Sequence, residues 1–127
     1  MAERELERLV TQVEVLRRQI EAVRSAIAEI QVVEETLSNI KGVEEGKPVL
    51  IPVGASCYVR GMITDKDKVI MGVGAGILVE KTVDDALKVL EERRKRLEEE
   101  FVRLNASLRE VILKIEEVRK RASTGRA

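Results

Sequence analysis

The sequence predicts an α+β protein, mainly α, in which a long antiparallel two-helix coiled coil carries two β-hairpins inserted between its helices. Three observations predict it. Aliphatic residues recur with heptad spacing near both ends of the 127-residue chain, the middle is rich in β-branched residues broken by Gly, Pro and Asp, and the two heptad segments match in length.

The first seam has Leu6, Val13, Ile20 and Ile27 at heptad position a, with Leu9, Leu16, Val23, Ile30 and Leu37 at d. Glu34 interrupts the a series. Glu3, Glu5 and Glu7 crowd the start, where negative charge complements the helix dipole. A helix over 3–40 follows, closed at Lys41-Gly42 by a glycine free to take the left-handed conformation. The second seam has Leu87, Arg94, Phe101, Leu108 and Ile115 at a and Leu90, Leu97, Leu104, Val111 and Val118 at d, predicting a helix over 84–122 capped by Thr82 or Asp84. The charge run from Glu91 to Glu100 reads as a solvated face with Glu91/Lys95 and Glu92/Arg96 at i,i+4. Arg119, Lys120 and Arg121 suit the dipole at its end. At about 1.5 Å per residue each helix spans roughly 55–60 Å.

Antiparallel pairing sets Leu6 against Val118, Val13 against Val111, Ile20 against Leu104 and Ile27 against Leu97. Glu34 and Arg94 then fall about one turn apart near the central segment, as an expected buried or half-buried pair that fixes register. Residues 48–82 hold four strand-like runs, Pro48–Pro52, Ser56–Ile63, Lys68–Val73 and Gly76–Thr82, separated at Val53-Gly54-Ala55, Asp65-Lys66-Asp67 and Gly74-Ala75. Two hairpins cannot close a sheet. Their edges, carrying Val49, Ile51, Ile70 and Ile77, need partner strands, so oligomerisation is expected. Residues 1–127 read as one domain.

Composition narrows the function. Charged residues are 36% of the chain and cancel to a net charge of zero, and Tyr58 and Phe101 are the only aromatics. Nucleic acid is therefore an unsuitable partner, for want of excess base and of stacking groups. With no histidine and one cysteine, neither a common zinc site nor an internal disulfide is expected, and Cys57 reads as a small packing residue. Gly72-Val-Gly-Ala-Gly76 has the glycine density of a phosphate loop but neither its spacing nor a following helix, and reads as a hairpin turn. No cofactor, metal or catalytic group is indicated, so the chain is not expected to be an enzyme. No stretch of about 18 apolar residues occurs, and Met1-Ala-Glu-Arg-Glu lacks a signal-peptide pattern, so no membrane is expected and the cytoplasm is.

Taken together, the long helices, Val49-Leu-Ile-Pro-Val53, Ser56-Cys-Tyr-Val-Arg-Gly61 and Val69-Ile-Met-Gly-Val-Gly74 resemble the alpha-class prefoldin subunit of archaea over nearly the whole chain. The most specific elements are Ile-Pro-Val followed by Tyr-Val-x-Gly, and the room for two hairpins, where beta-class subunits carry one. The resemblance implies an ATP-independent chaperone. In it the hairpins pair into intersubunit β-barrels, two alpha with four beta subunits, and coiled coils hold unfolded polypeptides and pass them to a group II chaperonin. Val49, Leu50, Ile51, Val53, Tyr58, Val59, Ile63, Val69, Ile70, Ile77 and Val79 are the expected interface, with beta-class subunits and another copy of the chain as partners. A filament or scaffold built through the same hairpins is the alternative.

The expected client surface is the distal tip. There Leu6, Leu9, Val13, Val111, Ile115 and Val118 lose neighbours where the helical hairpin frays. Val10 and Ile112, both at position e, extend the apolar surface onto one flank. The tail Ser123–Ala127 is also expected to fray.

Overall fold

The computed structural model describes residues 2–124 and contains, in order, α1 (Ala2–Ile40), β1 (Pro48–Gly54), β2 (Cys57–Met62), β3 (Lys68–Gly74), β4 (Ile77–Thr82) and α2 (Val83–Thr124). Each strand pair is an antiparallel two-stranded sheet, β1 with β2 and β3 with β4. Two long helices with two hairpins between them is the fold class that the heptads and turn residues predict. Met1 and residues 125–127, including most of the tail expected to fray, lie outside the described residues; Ser123 and Thr124 are helical.

The chain divides into two compact units, residues 1–29 with 94–127 and residues 30–93. In the first, the start of α1 packs against the end of α2, so the helices are antiparallel. Leu9, Val111 and Val118 are buried together, with Ala2, Leu6, Val13, Leu16 and Ile115 packed around them. Glu5 reaches Arg121 at 3.6 Å, and the Arg24 guanidinium lies 5.8 Å from the centre of the Phe101 ring, a cation–π distance. Glu5 and Arg121 are both g positions, which face each other across an antiparallel seam in the register that pairs Leu6 with Val118.

The hairpin unit is built around Leu37, Val83, Ala86 and Leu90, with Ile30, Ile40, Val69, Met71 and Leu87 against them. Val69 and Met71 alternate on one face of β3, so period-two geometry lays that face on the helices and turns Ile70 away. The start of α2 is held from several directions. Thr82 Oγ1 accepts the Asp85 N–H at 3.1 Å as N-cap, and the Val83 N–H donates to the Asp67 carbonyl at 2.9 Å. The Lys41 ammonium bonds Asp84 and holds its carboxyl below the usual carboxylate range. That contribution is present at neutral pH and is lost as acid protonates Asp84 through its lowered pKa. Arg93 donates to the Gly72 carbonyl at 3.3 Å, tying β3 to α2.

Two local readings are corrected. Helix α1 does end at Ile40, but Gly42 does not take the left-handed conformation. The end tightens through i→i−3 bonds, Gly42 N–H to Asn39 O at 3.1 Å and Val43 N–H to Ile40 O at 3.0 Å, which use carbonyls a helix terminus leaves free. The left-handed glycine is Gly46, at φ 82°, just ahead of β1. Cys57 is exposed rather than packed, because it follows the hairpin turn opposite Gly54, which has no side chain to cover it.

The two hairpins are one structure used twice. Pro52 pairs with Tyr58 and Gly54 with Cys57; Gly72 pairs with Leu78 and Gly74 with Ile77. Val53 and Val73 are therefore the extra residues of equivalent bulges. Ala55 and Ser56 have φ of 49° and 61°, and Ala75 and Gly76 have 53° and 73°, the paired positive φ of a type I′ turn. Alanine and serine pay for that conformation where Asn-Gly does not. Replacing Ala55-Ser56 by Asn-Gly is expected to stabilise the first hairpin by about 1–2 kcal/mol, read as slower amide exchange in β1 and β2. Unchanged or faster exchange would show that the turn is not strained.

Candidate functional site

No helix of the described residues is long and apolar enough to cross a membrane, and no buried polar side chain there lacks a hydrogen bond. Glu45, Asp65 and Asp67 bring exposed carboxylates within 4.8 Å of one another, and Asp65 accepts the Asp67 N–H at 3.0 Å, a turn-forming bond between hairpins. The chemistry of the surface lies in its apolar residues.

On the hairpins these residues are dense. The face of β1–β2 bearing Leu50, Tyr58 and Met62 leaves them 67%, 59% and 61% exposed, and Ile70 and Leu78 on the outer face of β3–β4 are 66% and 68% exposed. Ile51, Val53, Val59 and Ile77 are exposed as well, while Val49, Ile63, Val69 and Val79 are half-buried. Val69 differs from the others: it packs on the helical core, so it supports the sheet rather than offering surface. Met62, Val73 and Leu78 are exposed apolar residues that strand patterning did not single out. The signal that would have found Val73 and Leu78 is a repeat at an offset of twenty residues, matching Val49, Val53-Gly54-Ala55 and Val59 to Val69, Val73-Gly74-Ala75 and Val79. Beside β1, Ile40, Val43, Val49, Ile51 and Ile63 line an open apolar groove of about 450 Å³. Gly61 belongs to this face, since a Cβ there would collide with the Ile51 side chain.

In the helical unit the expected client residues separate into two groups. Leu9, Val111 and Val118 are 3%, 9% and 2% exposed, and Leu6, Val13 and Ile115 are half-buried against them. The seam is closed where fraying was expected, because each a or d side chain finds the other helix. Val10 is 42% exposed and Ile112 half-buried, both outside that cluster. Val15, Val102 and Leu113 are further exposed aliphatics, at 40%, 66% and 62%, which the heptad assigns to outward positions. An open groove of about 360 Å³ is lined by Thr11, Gln12, Val15, Leu16 and Val111. Heptad order around α1 puts Gln12 and Val15 at g and c, the flank opposite Val10. Arg94 is half-buried and bonds Glu98 at 2.8 Å; Glu34 is half-buried in the other unit.

Known proteins share both sequence and fold. The family model "Prefoldin subunit" matches residues 9–125. The prefoldin subunit alpha of Pyrococcus horikoshii is 39% identical over 115 residues, covering 90% of this chain and 78% of that one. The prefoldin subunit alpha of Thermofilum pendens is 36% identical over 105 residues, covering 83% and 81%. Among solved structures, filamentous prefoldin from Methanocaldococcus jannaschii superposes with a TM-score of 0.78 at 34% identity, over 91% of this chain and 96% of that one. The chain therefore belongs to the prefoldin family, in the alpha class known from archaea.

Proposed function

We propose that this chain is a non-enzymatic, ATP-independent holdase subunit. Its hairpins assemble with beta-class subunits and a second copy of itself, two alpha with four beta. Its helical unit holds non-native polypeptide in the cytoplasm for transfer to a group II chaperonin. The observation that carries the reading is the pair of equivalent hairpins with outward Leu50, Tyr58, Met62, Ile70 and Leu78 more than half exposed. A patch of that kind on a soluble chain is a binding surface, and two-stranded sheets with free edges take partner strands. Several helical units gathered in one assembly turn weak aliphatic contacts into avidity, which requires no nucleotide.

Suppression of aggregation of a denatured protein, measured without nucleotide, tests the holdase. Val10→Ser with Ile112→Ser is expected to weaken suppression severalfold while the assembly keeps its mass, because neither residue belongs to the buried cluster. Equal suppression by the variant would remove that flank from the client surface. A scaffold-forming reading is favoured by one observation, the similarity to a prefoldin whose structure is filamentous. Mass measurement of the chain alone and with a beta-class subunit separates the two: a closed hexamer supports the holdase, open-ended polymers the scaffold.

A further inference from the structure

The twenty-residue repeat puts equivalent side chains in two different settings. Val49, Ile51, Val59 and Ile63 of the first hairpin correspond to Val69, Met71, Val79 and Val83 of the second, and in both the strand pairing sets the second and third of these opposite each other. In the second hairpin this face is covered. Val69 and Met71 pack against Val83, Ala86 and Leu90, the first turns of α2, so the helix that follows the hairpin lies over it. After the first hairpin residues 64–67 lead straight into β3, and no helix returns. Its face is correspondingly open: Ile51 and Val59 are 42% and 49% exposed, where Met71 and Val79 are half-buried. Ile63 is only half-buried, whereas Val83 is 2% exposed. In place of a covering helix stands the groove of about 450 Å³ between β1 and the end of α1, and none of its lining residues is ionisable.

Resting on the assembly proposed above, we infer that this groove receives the first turns of a helix from a beta-class subunit, seated as α2 is seated on the second hairpin. A strand would need the backbone N–H and C=O groups of a sheet edge, whereas the groove lies on a sheet face, where side chains project. A helix arrives with its backbone already bonded. Two turns of helix, a cylinder about 11 Å across, occupy roughly 1,000 Å³, so about 450 Å³ takes the apolar half and leaves the polar half to solvent. The matching stripe is the one α2 uses, a β-branched residue with a small one three positions on and leucine at the seventh, all uncharged. A second copy has no such stripe to lend, because its Val83, Ala86 and Leu90 are buried on its own second hairpin. Ile51 belongs both to the groove and to the hairpin surface assigned to assembly, so a helix seated here continues that interface.

The test uses the full chain mixed with a beta-class subunit. Val43 lines the groove but precedes β1, so an assembly held by hairpins alone would be indifferent to a change there. Val43→Asp is expected to weaken association about tenfold or more, through lost burial and a carboxylate that must be desolvated. Val32→Lys, at a 62% exposed position outside the groove, should change it less than about twofold. Circular dichroism, and amide exchange in β3 and β4, verify that both variants fold. A benzophenone side chain placed at Asn39, exposed on the rim of the groove, should crosslink on irradiation to the first two turns of a helix of the beta-class subunit, located by mass spectrometry. Crosslinks to strand residues of that subunit, or to a second copy of this chain, overturn the helix assignment. So does full-strength association of the Val43→Asp chain, or equal weakening by Val32→Lys; each of these leaves the holdase reading standing. Failure of the unsubstituted chain to assemble at all overturns the proposed assembly and the occupant of the groove with it.

Discussion

Lysine in place of both Leu50 and Leu78 is expected to release the chain from its assembly as a folded monomer. The two side chains are 67% and 68% exposed and stand on the outer faces of different hairpins, so lysine there is solvated in the single chain and takes nothing from its core. In an assembly that covers these faces the balance reverses. Each leucine forfeits about 1.5–3 kcal/mol of burial, and each ammonium must be desolvated or expelled. The loss is then at least about 3–6 kcal/mol per subunit, or some hundred- to ten-thousandfold in association. Charged residues on edge strands are also the usual means by which monomeric sheets prevent pairing. Light scattering coupled to size exclusion reads the mass, and circular dichroism the helix content. Retention of the assembly by the doubly substituted chain would place the interface away from these faces.

Leu9→Ala is expected to open the helical unit. Leu9 is 3% exposed at the centre of a cluster that otherwise contains only Val111 and Val118 as fully covered side chains. Truncating a buried leucine costs about 2–5 kcal/mol. Two helices joined along one stripe have little reserve, so the loss is paid by local separation rather than global unfolding. Hydrogen exchange should show lost protection along the first turns of α1 and the last turns of α2, with β1–β4 unaffected. Val15→Ala, at a 40% exposed position, should change protection by less than about 0.5 kcal/mol. Equal protection in the Leu9 variant would show that this cluster does not hold the helices together. A Leu9 substitution would change folding together with the proposed client binding and cannot separate the two, whereas substitutions at the exposed or half-buried Val10, Val15 and Ile112 leave the buried cluster in place.

How far each feature was legible depended on how local its cause is. Heptad spacing determined both helices and their antiparallel pairing at the end where Leu9 is buried with Val111 and Val118 and Glu5 reaches Arg121, because side chains at a and d must face a partner stripe whatever lies around them. Turn chemistry determined where the hairpins reverse: Gly54 and Gly74 adopt φ of 113° and 109° at the breaks read from composition. The repeat is equally present in the residues, but it shows only when the two hairpins are aligned at an offset of twenty and not within any single strand.

What the sequence could not decide was which apolar side chains remain outside once the stripes have met. Leu9 and Val10 are adjacent and chemically alike, yet they are 3% and 42% exposed. A step of one residue turns a helix by about 100°, which puts Leu9 at d and Val10 at e, and only the packing of α2 decides that the seam stays covered at Leu9 instead of fraying. The seam expected to fray is closed for the same reason. Val69 shows the converse in the hairpins, since period two places it on a face but only the position of Leu37, Val83 and Leu90 makes that face the inner one. The residues alone determined what pairs with what along the chain; the packing of one element on another decided which apolar surface is left for other proteins.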